Sequence, residues 1–176
     1  SFGSYNRAKS AKIVNIIDKP LLSVTIKRGV IQQSELLKSS SKKDSSNLDK
    51  SKYKLVEPND IVYNKMRMWQ GAVGASKYEG IVSPAYIVLK PINNVNHRYY
   101  HYLLRTPNYI EESHRNSYGI CDDQLSLRYE EFKCMQSLIP PKEEQDQIVR
   151  YLDSKLAKIN KYIKNKKKLV ELLKEQ

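Results

Sequence analysis

Residues 140–176 read PPKEEQDQIVRYLDSKLAKINKYIKNKKKLVELLKEQ. Within them Val149, Leu152, Leu156, Ile159, Ile163, Lys166, Val170 and Leu173 follow one another by alternating steps of three and four, a heptad seam with a single polar position at Lys166. Ile148, Leu169 and Leu172 widen the stripe. Pro140 and Pro141 stop the preceding segment, read as a strand, and a proline suits the first turn of a helix. Glu143 and Glu144 sit where the helix dipole favours anions, and Lys166, Lys167, Lys168 and Lys174 crowd the opposite end. The spacing predicts a rod of about 34 residues, roughly 50 Å long. A compact domain of this size offers no face long enough to cover that seam, and no second long helix is legible upstream. A helix from another molecule is the expected mate; the competing reading docks the rod along its own domain. Lys166 would set register at some cost in stability, or would snorkel from a loosely packed end.

Working outward, the upstream residues mix strand and helix. IVNII at 13–17 and LLSVTI at 21–26 read as strands separated by Lys19 and Pro20. Residues 34–53, SELLKSSSKKDSSNLDKSKY, are rich in Ser and Lys and read as a mobile basic loop. Residues 54–76, KLVEPNDIVYNKMRMWQGAVGAS, read as strand with a turn at Pro58-Asn59-Asp60, and IVSPAYIVLKP at 81–91 as a second strand. Lys77-Tyr78-Glu79-Gly80 would then close a hairpin, with Gly80 supplying a positive φ. Gly71 and Gly74 mark a bulge or a close approach of another backbone. Residues 97–113 look helical, bent before Pro107. RNSYGICDDQ at 115–124 is a second polar loop. With no regular βαβ alternation, the expected class is α+β: a mixed globular domain over 1–139 and the long helix over 140–176.

Charge narrows the function. The 176 residues include 31 Lys and Arg against 19 Asp and Glu, a formal charge of +12. Residues 1–139 carry 21 basic and 13 acidic groups, and residues 140–176 carry 10 and 6, so both segments are basic. Such a surplus favours a polyanionic partner, because each cation that neutralises a phosphate releases a condensed counterion. A merely soluble basic surface is the alternative. No apolar run approaches the roughly 20 residues of a bilayer span, and the first ten residues, SFGSYNRAKS, lack a signal-peptide core. Two cysteines exclude a disulfide scaffold and a four-thiolate zinc site. A soluble, cytoplasmic chain without membrane contact is expected.

Catalytic equipment is sparse. The sequence holds no glycine-rich phosphate loop, no H-E-x-x-H and no G-x-S-x-G. His97 and His101 form an i, i+4 pair with no carboxylate beside it in sequence, read as surface or nucleic-acid-facing and not as metal ligands. No cofactor and no metal are called for. Binding equipment is richer. Lys65-Met66-Arg67-Met68-Trp69-Gln70 joins basic, aromatic and amide groups; Arg can pair with guanine and Gln with adenine in the major groove, while Lys holds phosphate. Strand alternation would send Met66, Met68 and Gln70 to one face and Lys65, Arg67 and Trp69 to the other, leaving Trp69 as either core or contact. Lys42 and Lys43 in the Ser-rich loop are candidate phosphate contacts, Lys77 and Tyr78 candidate hairpin contacts, and Arg115, Asn116 and Tyr118 a second polar cluster.

Residues 64–91, NKMRMWQGAVGASKYEGIVSPAYIVLKP, resemble the signature stretch of target-recognition domains in the specificity subunits of type I restriction-modification systems. LLSVTIKRGVI at 21–31 and YKLVEPNDIVYNKM at 53–66 resemble the segments that precede it, and residues 139–176 resemble the family's spacer helix, including its paired prolines and Glu144-Gln145. The resemblance implies a non-catalytic reader of double-stranded DNA. It implies that each domain reads one half of a split site, that the spacer helices pair antiparallel as a coiled coil, and that they dock the methyltransferase (modification) subunits and, through these, the restriction subunits. A whole specificity subunit has two such domains and two helices, whereas one of each is present here. A half-subunit or a fragment is therefore expected, pairing with a second copy or another half-subunit. A coiled-coil adaptor without DNA affinity is the rival reading.

Overall fold

The computed structural model describes residues 5–7, 19–38, 50–91, 94–121 and 124–174. The chain divides into two compact units, Ser1–Ile139 and Pro140–Gln176. The first is α+β and the second is one long helix, the expected class.

Strand β5 (Ile61–Asn64) is the centre of the first unit. It pairs antiparallel with β6 (Val73–Ala75) on one edge and with β8 (Tyr86–Pro91) on the other, and β8 pairs in turn with β1 (Tyr5–Arg7). Two two-stranded ribbons complete the strands among the described residues: β2 (Leu22–Thr25) with β3 (Gly29–Gln32), and β4 (Lys54–Val56) with β7 (Gly80–Val82). A parallel bridge from Leu21 to Ile81 joins the ribbons. On one face of β5, Val62 and its cross-strand partner Val88 meet Leu22, Val24, Val30, Val56 and Val82 in one apolar cluster. On the other, Tyr63 stacks on Phe132 with ring centroids 5.1 Å apart. Burial on both faces explains the unbroken apolar run Ile61-Val62-Tyr63.

Helices cover the second face. Residues 97–115 form α2 (His97–Leu103) and α3 (Pro107–Arg115), with the expected break before Pro107. Asn96 caps α2 by accepting from the N–H groups of Arg98 and Tyr99. Two short helices depart from the sequence reading. Residues 33–38, most of them expected in a mobile loop, form α1 (Gln33–Lys38). The strand expected before Pro140 is instead α4 (Tyr129–Cys134), followed by irregular chain; Glu130 and Glu131 in its first turn and Lys133 in its last satisfy the dipole. The expected strand at 13–17 lies outside the described residues.

The expected hairpin is also corrected. Strand β6 pairs with β5 and β7 pairs with β4, so residues 77–80 connect two different sheets. Gly80 does not have positive φ. It is required because a Cβ there would stand 2.5 Å from the Pro20 carbonyl oxygen and 2.7 Å from Leu22 Cγ. The turn Glu57-Pro58-Asn59-Asp60 is as read: Asn59 takes φ +79°, as the third residue of a type II turn does.

The second unit is α5 (Lys142–Lys174). Lys142 pairs with Asp146 one turn on, and the Gln145 amide donates to the Pro140 carbonyl at 2.8 Å. Of the seam, Val149 is buried and Leu152 half-buried, while Leu156, Ile159, Ile163, Val170 and Leu173 are 42–62% exposed. Lys166 lays its ammonium 5.4 Å from the centre of the Tyr162 ring, so the seam's polar residue turns back along its own helix.

A small charge cluster locks the turn before β5 to the end of β8. Lys90 donates to Glu57 and, at 3.0 Å, to Asp60 Oδ2, which also accepts the Glu57 N–H at 2.8 Å. The hydrogen bond and charge of Lys90 hold Glu57 below the ordinary glutamate range. Burial raises Asp60. Burial also opposes the charge on Lys90, but its bonds to Glu57 and Asp60 outweigh that and leave it raised. A raised lysine contributes stability that is complete below its unfolded-state value and is lost as pH climbs through the folded-state value. Urea midpoints measured over about pH 9 to 12 should fall for the native chain and fall less for Lys90→Met; parallel curves would show that the cluster contributes nothing.

Candidate nucleic-acid interface

The chain leaves β5 at Asn64, and the next residues form a turn instead of continued strand. Asn64 Oδ1 accepts the Met66 N–H at 3.0 Å, and the Asn64 carbonyl accepts the Arg67 N–H. This side-chain mimicry of a backbone turn is the usual role of asparagine. A one-turn 3-10 helix, Met68–Gln70, comes next and is closed by Gly71 at φ +83°. A left-handed glycine is needed there on a second count, since a Cβ would sit 3.0 Å from Ile110 Cδ1 of α3. The turn abolishes the period-two alternation of a strand. Met68 alone is fully buried and anchors the segment, Arg67 is exposed, and Lys65, Trp69 and Gln70 are half-buried.

Trp69 is therefore neither core nor a free platform. Its Nε1–H donates to the Met66 carbonyl at 3.2 Å, and its ring lies 5.6 Å from that of His114. Arg67 Nη1 donates to Gln70 Oε1 at 3.1 Å, so the two residues present one joined polar edge.

The second polar cluster is brought to the same place. Helix α3 packs on the 3-10 turn through Ile110 and His114. The Lys65 carbonyl accepts the Leu127 N–H at 2.8 Å, and Tyr118 and Ser126 exchange two backbone hydrogen bonds. Arg115 is exposed and pairs with Glu112 at 3.2 Å. Asn116 spends its amide on Glu112, capping α3, and is a structural residue. Tyr118 is 69% exposed with the Arg128 guanidinium 5.3 Å from its ring centre.

Other expected contacts fall elsewhere. Tyr78 packs on the valine-rich core, and Lys77 is exposed on the connection between β6 and β7. Lys42 and Lys43 lie outside the described residues. Conversely, the structure adds cations that the sequence reading passed over. Lys27 and Arg28 are exposed in the turn between β2 and β3, and Arg28 pairs with Glu35 at 3.1 Å. Arg105, between α2 and α3, binds only backbone carbonyls of residues 26, 27, 71 and 73 among its described hydrogen bonds. Burial lowers its pKa from the ordinary arginine value. The dipeptide Lys27-Arg28 followed by Gly29 between two apolar runs is a hairpin signal that could have marked this turn.

His101 accepts the Ala75 N–H at its Nδ1, 3.3 Å away, which ties α2 to β6. Among the described residues no group of three or more His, Cys, Asp or Glu is placed to hold a metal ion, and no helix is long and apolar enough to cross a membrane.

The family model for the type I restriction modification DNA specificity domain matches residues 9–172. The chain belongs to that family. No curated protein matches it. In this specificity domain the basic and aromatic residues around Arg67 thus stand on a scaffold whose family is defined by DNA specificity. Arg67→Ala should cost about 1–3 kcal/mol of affinity and relax the preference at one base position if Arg67 meets a base edge. Equal weakening on every sequence, in binding measured across a panel of point-substituted duplexes, would put it on a phosphate.

Proposed function

We propose that this specificity domain reads one half-site of double-stranded DNA through residues 65–70, 115–118 and 124–128, without catalysis of its own. In this reading the long helix docks the modification subunits and, through them, the restriction subunits. The observation that carries the reading is the joined Arg67–Gln70 edge, exposed beside Trp69 and held by the buried anchor Met68. A guanidinium and an amide in one rigid edge suit base recognition in a major groove.

The helix pairs antiparallel with a second long helix, and two copies of this chain suffice. The exposed seam from Leu156 to Leu173 supports this, since so long an apolar stripe marks an interaction surface. Charge supports the orientation. Residues 142–153 hold four acidic and two basic groups, whereas residues 154–174 hold eight lysines against Glu171. Antiparallel pairing sets the acidic part of one helix on the basic part of the other. Two identical domains related by a two-fold axis would read an inverted repeat.

Selection of bound duplexes from a random pool, with the modification subunit present, should return an inverted repeat of fixed spacing. No enrichment, together with no affinity at low salt, would favour the coiled-coil adaptor. Ile159→Asp should convert dimers to monomers in light scattering at micromolar concentration, because a carboxylate buried without a partner is strongly unfavourable. A native chain that is monomeric there would remove the pairing.

A further inference from the structure

The turn between β2 and β3 is tied to the Arg67 segment by one guanidinium. Arg105 Nη2 donates to the carbonyls of Ile26 at 2.6 Å and Lys27 at 2.9 Å, and its Nη1 donates to those of Val73 at 2.9 Å and Gly71 at 3.4 Å. The arginine fork is planar and its donors are fixed relative to one another. Two segments more than forty residues apart in sequence are therefore held at a set separation on a single rigid group.

The turn end of the same hairpin is pressed against β6. Gly29 takes φ +69°, and a Cβ on Gly74 would stand 3.1 Å from Gly29 Cα and 3.0 Å from His101 Nδ1. Neither backbone can shift toward the other. The hairpin is thus packed closely on β6, and the two cations of its turn, Lys27 and Arg28, remain exposed. Every described hydrogen-bond acceptor of Arg105 is a neutral carbonyl, so its charge adds to that of Lys27, while Arg28 is paired with Glu35.

Resting on the DNA-reading proposal above, we propose that this turn is a further DNA-contacting element in which Lys27 holds a backbone phosphate, and that Arg105 is the positioning residue fixing it beside the Arg67–Gln70 edge. A flexible ammonium is suited to a phosphate and not to a base edge. A phosphate contact locked to a base-reading turn sets the register in which that turn meets the bases. Arg105 acts here through the turn and does not itself touch DNA.

The test measures binding of the full chain to its selected duplex at several salt concentrations. Loss of one phosphate contact lowers the log–log slope by about 0.9, so between about 50 and 200 mM salt Lys27→Ala should lose about 3.5-fold less affinity than the native chain, with base preference unchanged. Arg105→Lys keeps the charge but cannot bridge both segments. It should show the same shallower slope together with relaxed base preference, read at temperatures where circular dichroism reports a folded chain. Adding Lys27→Ala to Arg105→Lys should lower the slope no further. An Arg105 that only stabilises the fold would lower the melting temperature and leave slope and preference alone, which overturns its positioning role. A native slope in Lys27→Ala, an exposed substitution that does not depend on Arg105→Lys folding, overturns the contact itself. Native chain that fails to bind any duplex would overturn the DNA reading as a whole, a result distinct from both.

Discussion

Strand β5 is hydrogen-bonded along both edges and covered on both faces, and the placement of the Arg67 segment depends on that double confinement. Burying Ile61, Val62 and Tyr63 contributes on the order of 1.5–3 kcal/mol each, and a one-residue slip would exchange the two faces and lose both packings. Register is therefore fixed at each end of the strand. At its start, the cluster of Glu57, Asp60 and Lys90 ties the turn to β8. At its end, Asn64 diverts the chain outward. A polar segment displayed from a strand so constrained inherits its rigidity, which is what a recognition surface requires of its scaffold.

The same segment shows how a surface turn is made rigid without being buried. Only Met68 reaches the core; the rest is held by backbone closure at Gly71, by Trp69 donating to its own turn, and by Arg67 donating to Gln70. Three outside elements then brace it. Helix α3 supplies Ile110 and His114, the Leu127 amide meets the Lys65 carbonyl, and Arg105 reaches the carbonyls beyond Gly71. Each brace comes from a distant part of the sequence, so the site exists only once the tertiary fold is complete.

That dependence explains which features the bare sequence made legible. Helix α5 and the bend before Pro107 could be read because their signals are local: a heptad period, a proline at the first helical position, charges matched to the dipole. The α+β class came from the lack of a regular alternation. Residues 65–76 could not be resolved as a turn plus a short strand, because the deciding contact, Asn64 with Met66, looks in sequence like any polar residue in a strand. The hairpin at 77–80 was misread because adjacency suggested pairing, whereas β7 finds β4 across 24 positions of sequence, from Val56 to Gly80. Helix α4 was hidden by its six-residue length, too short for a period to declare itself. Of the two readings of Gly74, a bulge or a close approach, the structure shows the close approach, and its counterpart, Gly29, lies beyond reach of any local pattern.

The two units use a common surplus of positive charge in different ways. In the first unit some cations pair with carboxylates, as Arg28 does with Glu35 and Arg115 with Glu112, while others stand near neutral acceptors or aromatic rings, as Arg128 does over Tyr118 and Arg105 among carbonyls. The described interactions of Arg128 and Arg105 include no carboxylate, so their charge adds at the surface. In α5 the lysines flank an apolar seam that only Lys166 enters, and Lys155 and Lys166 turn toward tyrosines one turn earlier on the helix. Eight like charges along residues 154–174 repel one another, and a helix that keeps them gains most from a mate whose own charge there is negative. The acidic opening of α5 has that character, so in the proposed pairing the antiparallel orientation follows from charge order, since the heptad spacing of the apolar seam would serve either direction.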